Sequence, residues 1–309
     1  MKFPNKILPA HAIWENNGTE QDEYVDFFPN IDFKDNTTYS LRIVCDTDRA
    51  VYLDDTLISF GQYADYPDTP VYEDICFKAG QNSKLKITAW HSGIDSQTHV
   101  ATKAYVAFCI IKNDEVIYAS SNKTLCRQSP EYLQHNRKII TGQMGAGFAL
   151  SGRQVAENLH NSVEKDIEID TLRERPIKPL YLGTPIQGKI IRKGYCSLKN
   201  DTDTAFIMSN AIYDTPIEDS NGTYILFDFE RESVGFPEIS FVADKECNVA
   251  IGWGEHIVDG FCRCAIHSRR FTTCMIFSAL SWCIPHSTVN SAPQMPFIFR
   301  FDHQVYNIG

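Results

Sequence analysis

Apolar and polar positions alternate with a period of two through most of the first half of this chain. Residues 39–45 divide into an apolar and a polar face, with Tyr39, Leu41, Ile43 and Cys45 against Ser40 and Arg42. The same pattern marks residues 51–53, 57–59, 71–77 and 83–90. Successive side chains of a β-strand point to opposite faces of the sheet, so each of these runs predicts a strand.

Turn residues join these runs at short intervals. Asp54-Asp55 separates two strands in the manner of a hairpin, and Lys112-Asn113-Asp114 joins AYVAFCII to EVIYAS. Short polar turns of this kind connect antiparallel neighbours. The first half therefore predicts an antiparallel β-sandwich.

The second half repeats this rhythm from about Tyr181 to Ile191 onward. Three β-type runs, TYILFDF, PEISFVA and CNVAIGW, follow one another at roughly ten-residue intervals, which is typical of sandwiches. The predicted fold class is all-β, with two antiparallel β-sandwich, jelly-roll-like domains and a short helix or linker between them.

The region between the two predicted sandwiches has a different pattern. Residues 152–163 carry Val155, Leu159 and Val163 at roughly helical spacing, and the charged, proline-containing residues 164–178 look like a connector. The predicted organisation is an N-terminal sandwich at 1–165, a linker at 166–180, a second sandwich at 181–274 and an atypical tail at 275–309.

The tail is unusually poor in charge. After Arg270 the only charged side chains are Arg300 and Asp302, whereas the whole chain is 22% charged. Such a segment is expected either to pack against a partner domain or to be foreign to the fold. A frameshift or an early stop, giving a truncated chain, is one hypothesis for it.

Composition narrows the range of partners. A net charge of -10 over 309 residues disfavours binding to nucleic acid or to anionic lipid. Neither a signal peptide nor an apolar run of bilayer length is evident, so a cytoplasmic location is expected. A homo-oligomer or a missing catalytic domain is a possible protein partner.

The ten cysteines are expected to be thiols rather than disulfides or metal ligands. Cys45, Cys76, Cys109 and Cys247 lie in β-type runs, where a thiol acts as a small apolar group. The C-terminal cluster is too irregular in spacing for structural zinc, and consists of Cys262, Cys264, Cys274, Cys283 and His286. No metal site and no cofactor is therefore predicted.

Several weak motifs in order carry a family resemblance. They are the segment from Asp46 to Trp90, then ITGQMGAGFALSGR, RPIKPLYLG, FDFERESVGFPEISF and WGEHIVDG. Together they resemble the N-terminal, non-catalytic β-sandwich domains of bacterial α-L-rhamnosidases, over roughly residues 38–271. The resemblance implies a sandwich architecture and a carbohydrate as the class of ligand.

The resemblance does not extend to catalysis. In that family the catalytic carboxylates belong to an (α/α)6 barrel that follows these domains, and no residues here match it. The residues after Arg270 are too few for a barrel of twelve helices, because an average helix takes about 11 residues. The chain alone is predicted to be inactive, and no catalytic residue is assigned.

A self-contained glycosidase is the competing enzyme hypothesis. Asp228, Glu230 and Glu232 alternate along a predicted strand, and Glu255 and Asp259 follow them. A pair of such carboxylates could serve as acid and base. Acidic residues on the solvated face of a strand are the ordinary alternative.

One loop combines the residue types that bind sugars. Tyr63 and Tyr66 offer rings that can stack on a pyranose, while Asp65 and Asp68 can accept hydroxyl hydrogen bonds or ligate calcium. Tyr72 and Glu73 lie just beyond this loop. A solvated loop whose tyrosines cover the end of the sandwich is the structural alternative. Trp90 and Trp253 are expected to be core residues.

Two main function classes follow from these observations. The first is a carbohydrate-contacting accessory region of a rhamnosidase-type glycoside hydrolase, with a rhamnose-containing glycan as the partner. The second is an autonomous carbohydrate-binding or interaction protein. A self-contained glycosidase is the third and least favoured class.

Overall fold

The structure of the protein is a computed structural model. It describes residues 9–16, 18–61, 71–95, 99–135, 138–141, 145–147, 157–169, 172–178, 183–201, 204–213, 218 and 222–230, and short strands between 247 and 299. These residues form strands, turns and loops, and no helix capable of crossing a membrane occurs among them. The predicted all-β fold class is confirmed.

The chain divides into two compact units. The first comprises Met1–Leu182, Pro237–Phe241 and Cys283–Gly309, and the second comprises Gly183–Phe236 and Val242–Trp282. The predicted domain bounds remain a prediction.

The first unit contains most of the described strands. They are β1 (Ile13–Trp14), β2 (Glu23–Phe28), β3 (Thr37–Cys45), β4 (Asp48–Leu53), β5 (Thr56–Phe60), β6 (Val71–Ala79), β7 (Leu85–His91), β8 (Val106–Lys112), β9 (Glu115–Ala119), β10 (Leu125–Gln128), β11 (Lys138–Thr141), β12 (Gly145–Gly147), β13 (His160–Asn161), β14 (Val163–Glu164) and β15 (Arg173–Glu174).

Two sheets of these strands form the sandwich. One has seven strands in the order β14-β1-β8-β3-β6-β15, with β9 also beside β8, and the other has six in the order β13-β10-β2-β7-β4-β5. Their inward side chains share one buried apolar core, to which Leu41 and Phe108 contribute from the first sheet and Phe27 and Ile87 from the second. Burying such side chains stabilises the fold by roughly 1.5–3 kcal/mol each.

The hairpins predicted from turn residues are present. The β4–β5 turn has φ angles of 50° at Asp54 and 61° at Asp55, and the β8–β9 turn has 49° at Asn113 and 63° at Asp114. Positive φ at both central residues matches the twist of the flanking strands, and Asp and Asn tolerate it better than most residues. The residue types at the central positions thus favour both of these turns.

The prediction of a helix over 152–163 is wrong in its described part. From residue 157 onward the chain is extended and forms β13 and β14, which pair with β10 and β1 respectively. Leu159 and Val163, two of the residues at helical spacing, are exposed. Pairing with distant strands outweighs the short helical pattern here.

The charged stretch after Glu164 contributes to the first sandwich. Its strand β15 runs parallel to β6, with Arg173 opposite Val71. Ile169 and Leu172 are buried on the outer face of the seven-stranded sheet, in a small cluster with Val44 and Tyr72. The segment that looked like a connector therefore covers one face of that sheet.

The cysteine prediction is partly wrong. Cys45 and Cys109 are buried thiols, as the sequence predicts, but Cys76 is exposed. It occupies an outward position of β6 between the buried Ile75 and Phe77. Cys126, which no motif singled out, is also buried.

The second unit also consists of antiparallel strands. They are β16 (Lys189–Asp201), β17 (Thr204–Tyr213), β18 (Gly222–Asp228), β19 (Cys247–Gly252), β20 (Ile257–Val258), β21 (Phe261–Cys262), β22 (Ala265–Ile266), β23 (Arg269–Arg270) and β24 (Thr272–Phe277). β16 lies between β17 and β18, β19 pairs with β24, and the short strands form hairpins. In the part of the tail that belongs to the first unit, β25 (Ser287–Ser291) pairs with β26 (Met295–Phe299).

Candidate carbohydrate-contact site

The loop predicted to contact sugar connects two described strands. Tyr63, Asp65, Tyr66 and Asp68 themselves lie outside the described residues, so their role in binding sugar or calcium stays a prediction. The chain leaves β5 at Gly61, whose N–H donates to the Arg49 carbonyl at 2.9 Å. It resumes at the start of β6, which fixes both ends of the loop to the first sandwich.

The two residues that follow the loop are buried. Tyr72 is wholly buried, and burial together with the nearby Glu174 carboxylate raises the pKa of its phenol to about 12. Glu73 is also buried, on the opposite face of β6. Neither side chain is therefore available to a sugar.

A buried ionic cluster lies near the end of β5 and the start of β6. The Arg49 guanidinium donates to Glu73 and, at 3.2 Å, to Ser59 Oγ. Arg175 Nε forms a second ion pair with Glu73 Oε1 at 2.8 Å. Buried charges need such partners because desolvation is costly. The cluster joins β4, β6 and the segment after β15.

A second buried polar cluster surrounds Asp46, just after β3. His91 Nδ1 lies 2.5 Å from Asp46 Oδ2, Thr102 Oγ1 donates to Oδ1, and His99 Nε2 lies 3.8 Å from Oδ1. Burial alone would raise the pKa of Asp46, but these hydrogen bonds and the histidine charges outweigh burial and lower it. The carboxylate therefore holds β3, β7 and the segment around residue 100 together.

Either of these two buried clusters could hold a metal ion only if three ligating side chains converged. Within the part of the chain that the structure describes, no three His, Cys, Asp or Glu side chains are arranged to hold a metal ion. The C-terminal cysteine cluster and the calcium-type carboxylates of the loop fall outside the described side chains.

Trp90 has an environment that the sequence did not predict. It is partly exposed on the outer face of the six-stranded sheet instead of lying between the sheets. Its ring stacks on Tyr24 at 5.9 Å between centroids, and Tyr24 stacks on Tyr132 at 4.3 Å. The hollow beside this stack measures about 20 Å³, which suits a water molecule and is too small for a sugar ring. Trp253 lies outside the described residues.

Two candidate acids of the competing enzyme hypothesis, Asp228 and Glu230, do not share a strand. β18 ends at Asp228, and Glu230 lies in a bend with φ of 58°. The Glu230 N–H donates to Asp228 Oδ1 at 2.7 Å, and its carboxylate pairs with Lys189 at 2.6 Å, with both side chains exposed. The predicted alternation of acids along one strand is therefore wrong in its described part, at Asp228 and Glu230. Glu232, Glu255 and Asp259 lie outside the described residues.

Solved structures of known proteins resemble the fold of this chain. Neither a family model nor a curated protein matches the sequence. The GH78 family rhamnosidase of Bacillus sp. GL1 is similar with a TM-score of 0.52 and 13% identity, over 62% of this chain and 22% of that chain. The α-L-rhamnosidase of Aspergillus terreus is similar with a TM-score of 0.54 and 12% identity, over 97% of this chain and 34% of that chain.

This is a rhamnosidase-type β fold. The resemblance to α-L-rhamnosidases that the sequence motifs indicated is thereby confirmed at the level of fold. A third α-L-rhamnosidase, from Dictyoglumus thermophilum, is 9% identical with a TM-score of 0.48, over 96% of this chain and 34% of that chain. The chain spans about a fifth to a third of the length of these rhamnosidases.

Proposed function

We propose that this chain is the non-catalytic, carbohydrate-contacting β region of a rhamnosidase-type glycoside hydrolase. The observation that carries the proposal is the extent of the structural likeness. Nearly the whole chain, 97%, superposes on a part that makes up 34% of a complete rhamnosidase. A region of that size with a β fold suits a role in holding glycan and supporting a catalytic domain.

The described acids support the non-catalytic part of the proposal. Inverting glycosidases place two carboxyl groups about 6.5–9.5 Å apart on opposite sides of the sugar ring. Asp228 and Glu230 instead lie within two residues of each other at a strand end, where Glu230 forms an exposed ion pair with Lys189. An exposed, paired carboxylate is poorly suited to protonate a leaving group.

The second unit has an apolar surface suited to a further protein domain. Ile190 pairs with Phe227 across β16 and β18, and Ile225 lies two residues further along the same face. These side chains and Phe229 are between 38% and 57% exposed. Clustered apolar exposure of this kind is typical of surfaces that pack against another domain. This supports the proposed role beside a catalytic domain.

Two measurements on the purified chain test the proposal. The first is turnover of p-nitrophenyl α-L-rhamnopyranoside, for which we expect no activity. Turnover that disappears in Glu230→Gln or Glu255→Gln would instead establish a self-contained glycosidase.

The second measurement is calorimetric titration with L-rhamnose and with rhamnose-containing oligosaccharides, with and without chelator. We expect binding that is lost in Tyr66→Ala and weakened about tenfold or more in Asp65→Asn, since ring stacking and hydrogen bonds would be removed. Phe229→Ala and Glu115→Gln are matched controls, an exposed aromatic residue and an exposed carboxylate elsewhere. Equal binding by Tyr66→Ala and the Phe229→Ala control would contradict the loop assignment.

A further inference from the structure

A surface cleft of about 270 Å³ lies at the end of the first sandwich away from the predicted sugar loop. Its wall includes Tyr39 at the start of β3, which pairs with Phe77 near the end of β6. The predicted loop joins β6 at the other end of that strand, before Val71. A ligand in the cleft would therefore occupy a separate site.

The floor of the cleft is apolar and rigid. Ile31 and Ile117 line it together with Tyr39, and Ile117 is 41% exposed. The Tyr39 ring packs against Phe33 and Phe77 at centroid distances of 5.0 and 5.8 Å. Its hydroxyl also accepts a hydrogen bond from the Lys34 N–H at 2.9 Å. Such a preformed apolar floor suits the C–H face of a sugar ring.

The rim of the cleft is polar and carries charges of both signs. It consists of Asn30, Asp32, Lys34 and Lys112. Lys34 and Asp32 form an ion pair at 2.7 Å, while the Lys112 ammonium lies 6.0 Å from the centre of the Tyr39 ring. Lys112 forms no ion pair among the described residues, and Glu115 is its cross-strand neighbour in the β8–β9 hairpin. With Glu115 counted beside Lys112, the two ammonium groups and the two carboxylates around the cleft cancel.

These features select a ligand by size, shape and charge. The volume lies just below the range of about 300–1,000 Å³ that drug-sized ligands occupy, so it suits a single ring. Hydroxyl groups of that ring could bond with Asn30 and Asp32, and an acidic group could pair with Lys112. The Lys112 ammonium, which forms no ion pair in the described part of the chain, favours a ring with an acidic group over a neutral ring.

We propose that this cleft binds a hexuronate, a sugar ring that carries a carboxylate. The ring lies over Ile31 and Ile117, above the buried Tyr39, and the carboxylate pairs with Lys112. This inference extends beyond the proposed rhamnose contact and does not depend on it, because it uses different residues at the other end of the sandwich.

Titration of the full chain with sodium D-galacturonate and sodium D-glucuronate tests the proposal. The neutral parents D-galactose and D-glucose serve as the first comparison, and sodium acetate as the second. We expect the uronates to bind about tenfold or more tightly than either comparison, with an affinity that falls as salt is added.

Substitutions assign the binding to the cleft. Lys112→Gln should weaken uronate binding about tenfold and leave the weak binding of neutral sugars unchanged, and Ile117→Asn should weaken both. Lys123→Gln, an exposed lysine in the turn before β10, is the matched control and should have no effect. Melting curves confirm that each variant is folded.

Equal affinities for uronate and neutral sugar, or equal effects of Lys112→Gln and Lys123→Gln, would overturn the proposal. Either result would leave the rhamnose titration and its Tyr66→Ala variant unaffected, so the two proposals fail independently.

Discussion

The Arg49 guanidinium donates to the Glu73 carboxylate through the interior of the first sandwich and so joins β4 of one sheet to β6 of the other. The Arg49 side chain is fully buried, and that of Glu73 is 6% exposed. Arg175 pairs with the same carboxylate. One carboxylate therefore pairs with two buried guanidinium groups at the end of the sandwich where β6 begins.

Removing Glu73 should destabilise the protein more than removing Arg49. Glu73→Leu leaves two buried guanidinium groups without their partner, and we expect a loss of about 3–5 kcal/mol in the free energy of unfolding. Arg49→Leu should cost less, because Glu73 keeps Arg175. Urea denaturation followed by tryptophan fluorescence measures both losses.

The exposed pair of Glu230 and Lys189 offers a control for this comparison. Glu230→Gln should change the free energy of unfolding by no more than about 0.5 kcal/mol. A loss for Arg49→Leu as large as that for Glu73→Leu would show that Arg175 does not share the carboxylate.

Asp46 should make stability depend on pH in the acid range. Its pKa is lowered in the folded protein, so its stabilising contribution is complete above the ordinary carboxyl pKa and is lost as pH falls towards the folded value. Asp46→Asn should lower the free energy of unfolding by roughly 1–3 kcal/mol at pH 7. The difference from wild type should shrink steadily below about pH 4.

Urea titrations of both proteins between pH 2 and pH 7 measure this difference. Asp35→Asn, which changes an exposed carboxylate, is the control and should match wild type throughout. A difference between Asp46→Asn and wild type that is the same at every pH would refute the assigned role of the Asp46 charge.

Cys76 should react with iodoacetamide in the native protein well before three other thiols. Cys76 is exposed, whereas Cys45, Cys109 and Cys126 are buried. Burial raises the pKa of Cys109 to about 11 and that of Cys126 to about 12, and it raises the pKa of Cys45 as well. Because the thiolate is the reactive form, we expect labelling at pH 8 to be at least about tenfold slower at these three residues.

Peptide mapping by mass spectrometry measures the extent of labelling at each cysteine separately. The same labelling in urea provides the control, since all four thiols should then react at similar rates. Fast native labelling of Cys126 would mean that this part of the sandwich opens readily.

The two residues of the β4–β5 turn should respond differently to substitution. Asp54 accepts hydrogen bonds from Ser83 Oγ at 2.7 Å and from the Lys84 N–H at 2.8 Å, so Asp54→Ala should cost about 1–3 kcal/mol of stability. Asp55→Gly should instead stabilise by up to about 1 kcal/mol, because glycine adopts positive φ without strain. Thermal unfolding of the two variants measures the effect, and a shift of the same sign in both would contradict this account.

The amino-acid sequence determined the local elements of this protein. The alternation at Tyr39, Leu41 and Ile43 predicted an inward face that the structure confirms, because the two-residue period of a strand is a property of its backbone. The Asp54-Asp55 turn was equally evident, since few residues accept positive φ. Motifs in order also indicated the rhamnosidase-type fold, which the comparison of structures confirms.

Only the tertiary structure decided which distant segments pair and which side chains they bury. β14 and β15 are each two residues long and exist because Val163 lies opposite Trp14 and Arg173 lies opposite Val71. No local pattern encodes a partner so far away in sequence. The burial of Glu73 between two arginines and the exposure of Cys76 likewise depend on which face of β6 meets the other sheet. The alternation in the sequence determines which side chains share a face of a strand, whereas tertiary packing determines whether another element buries that face.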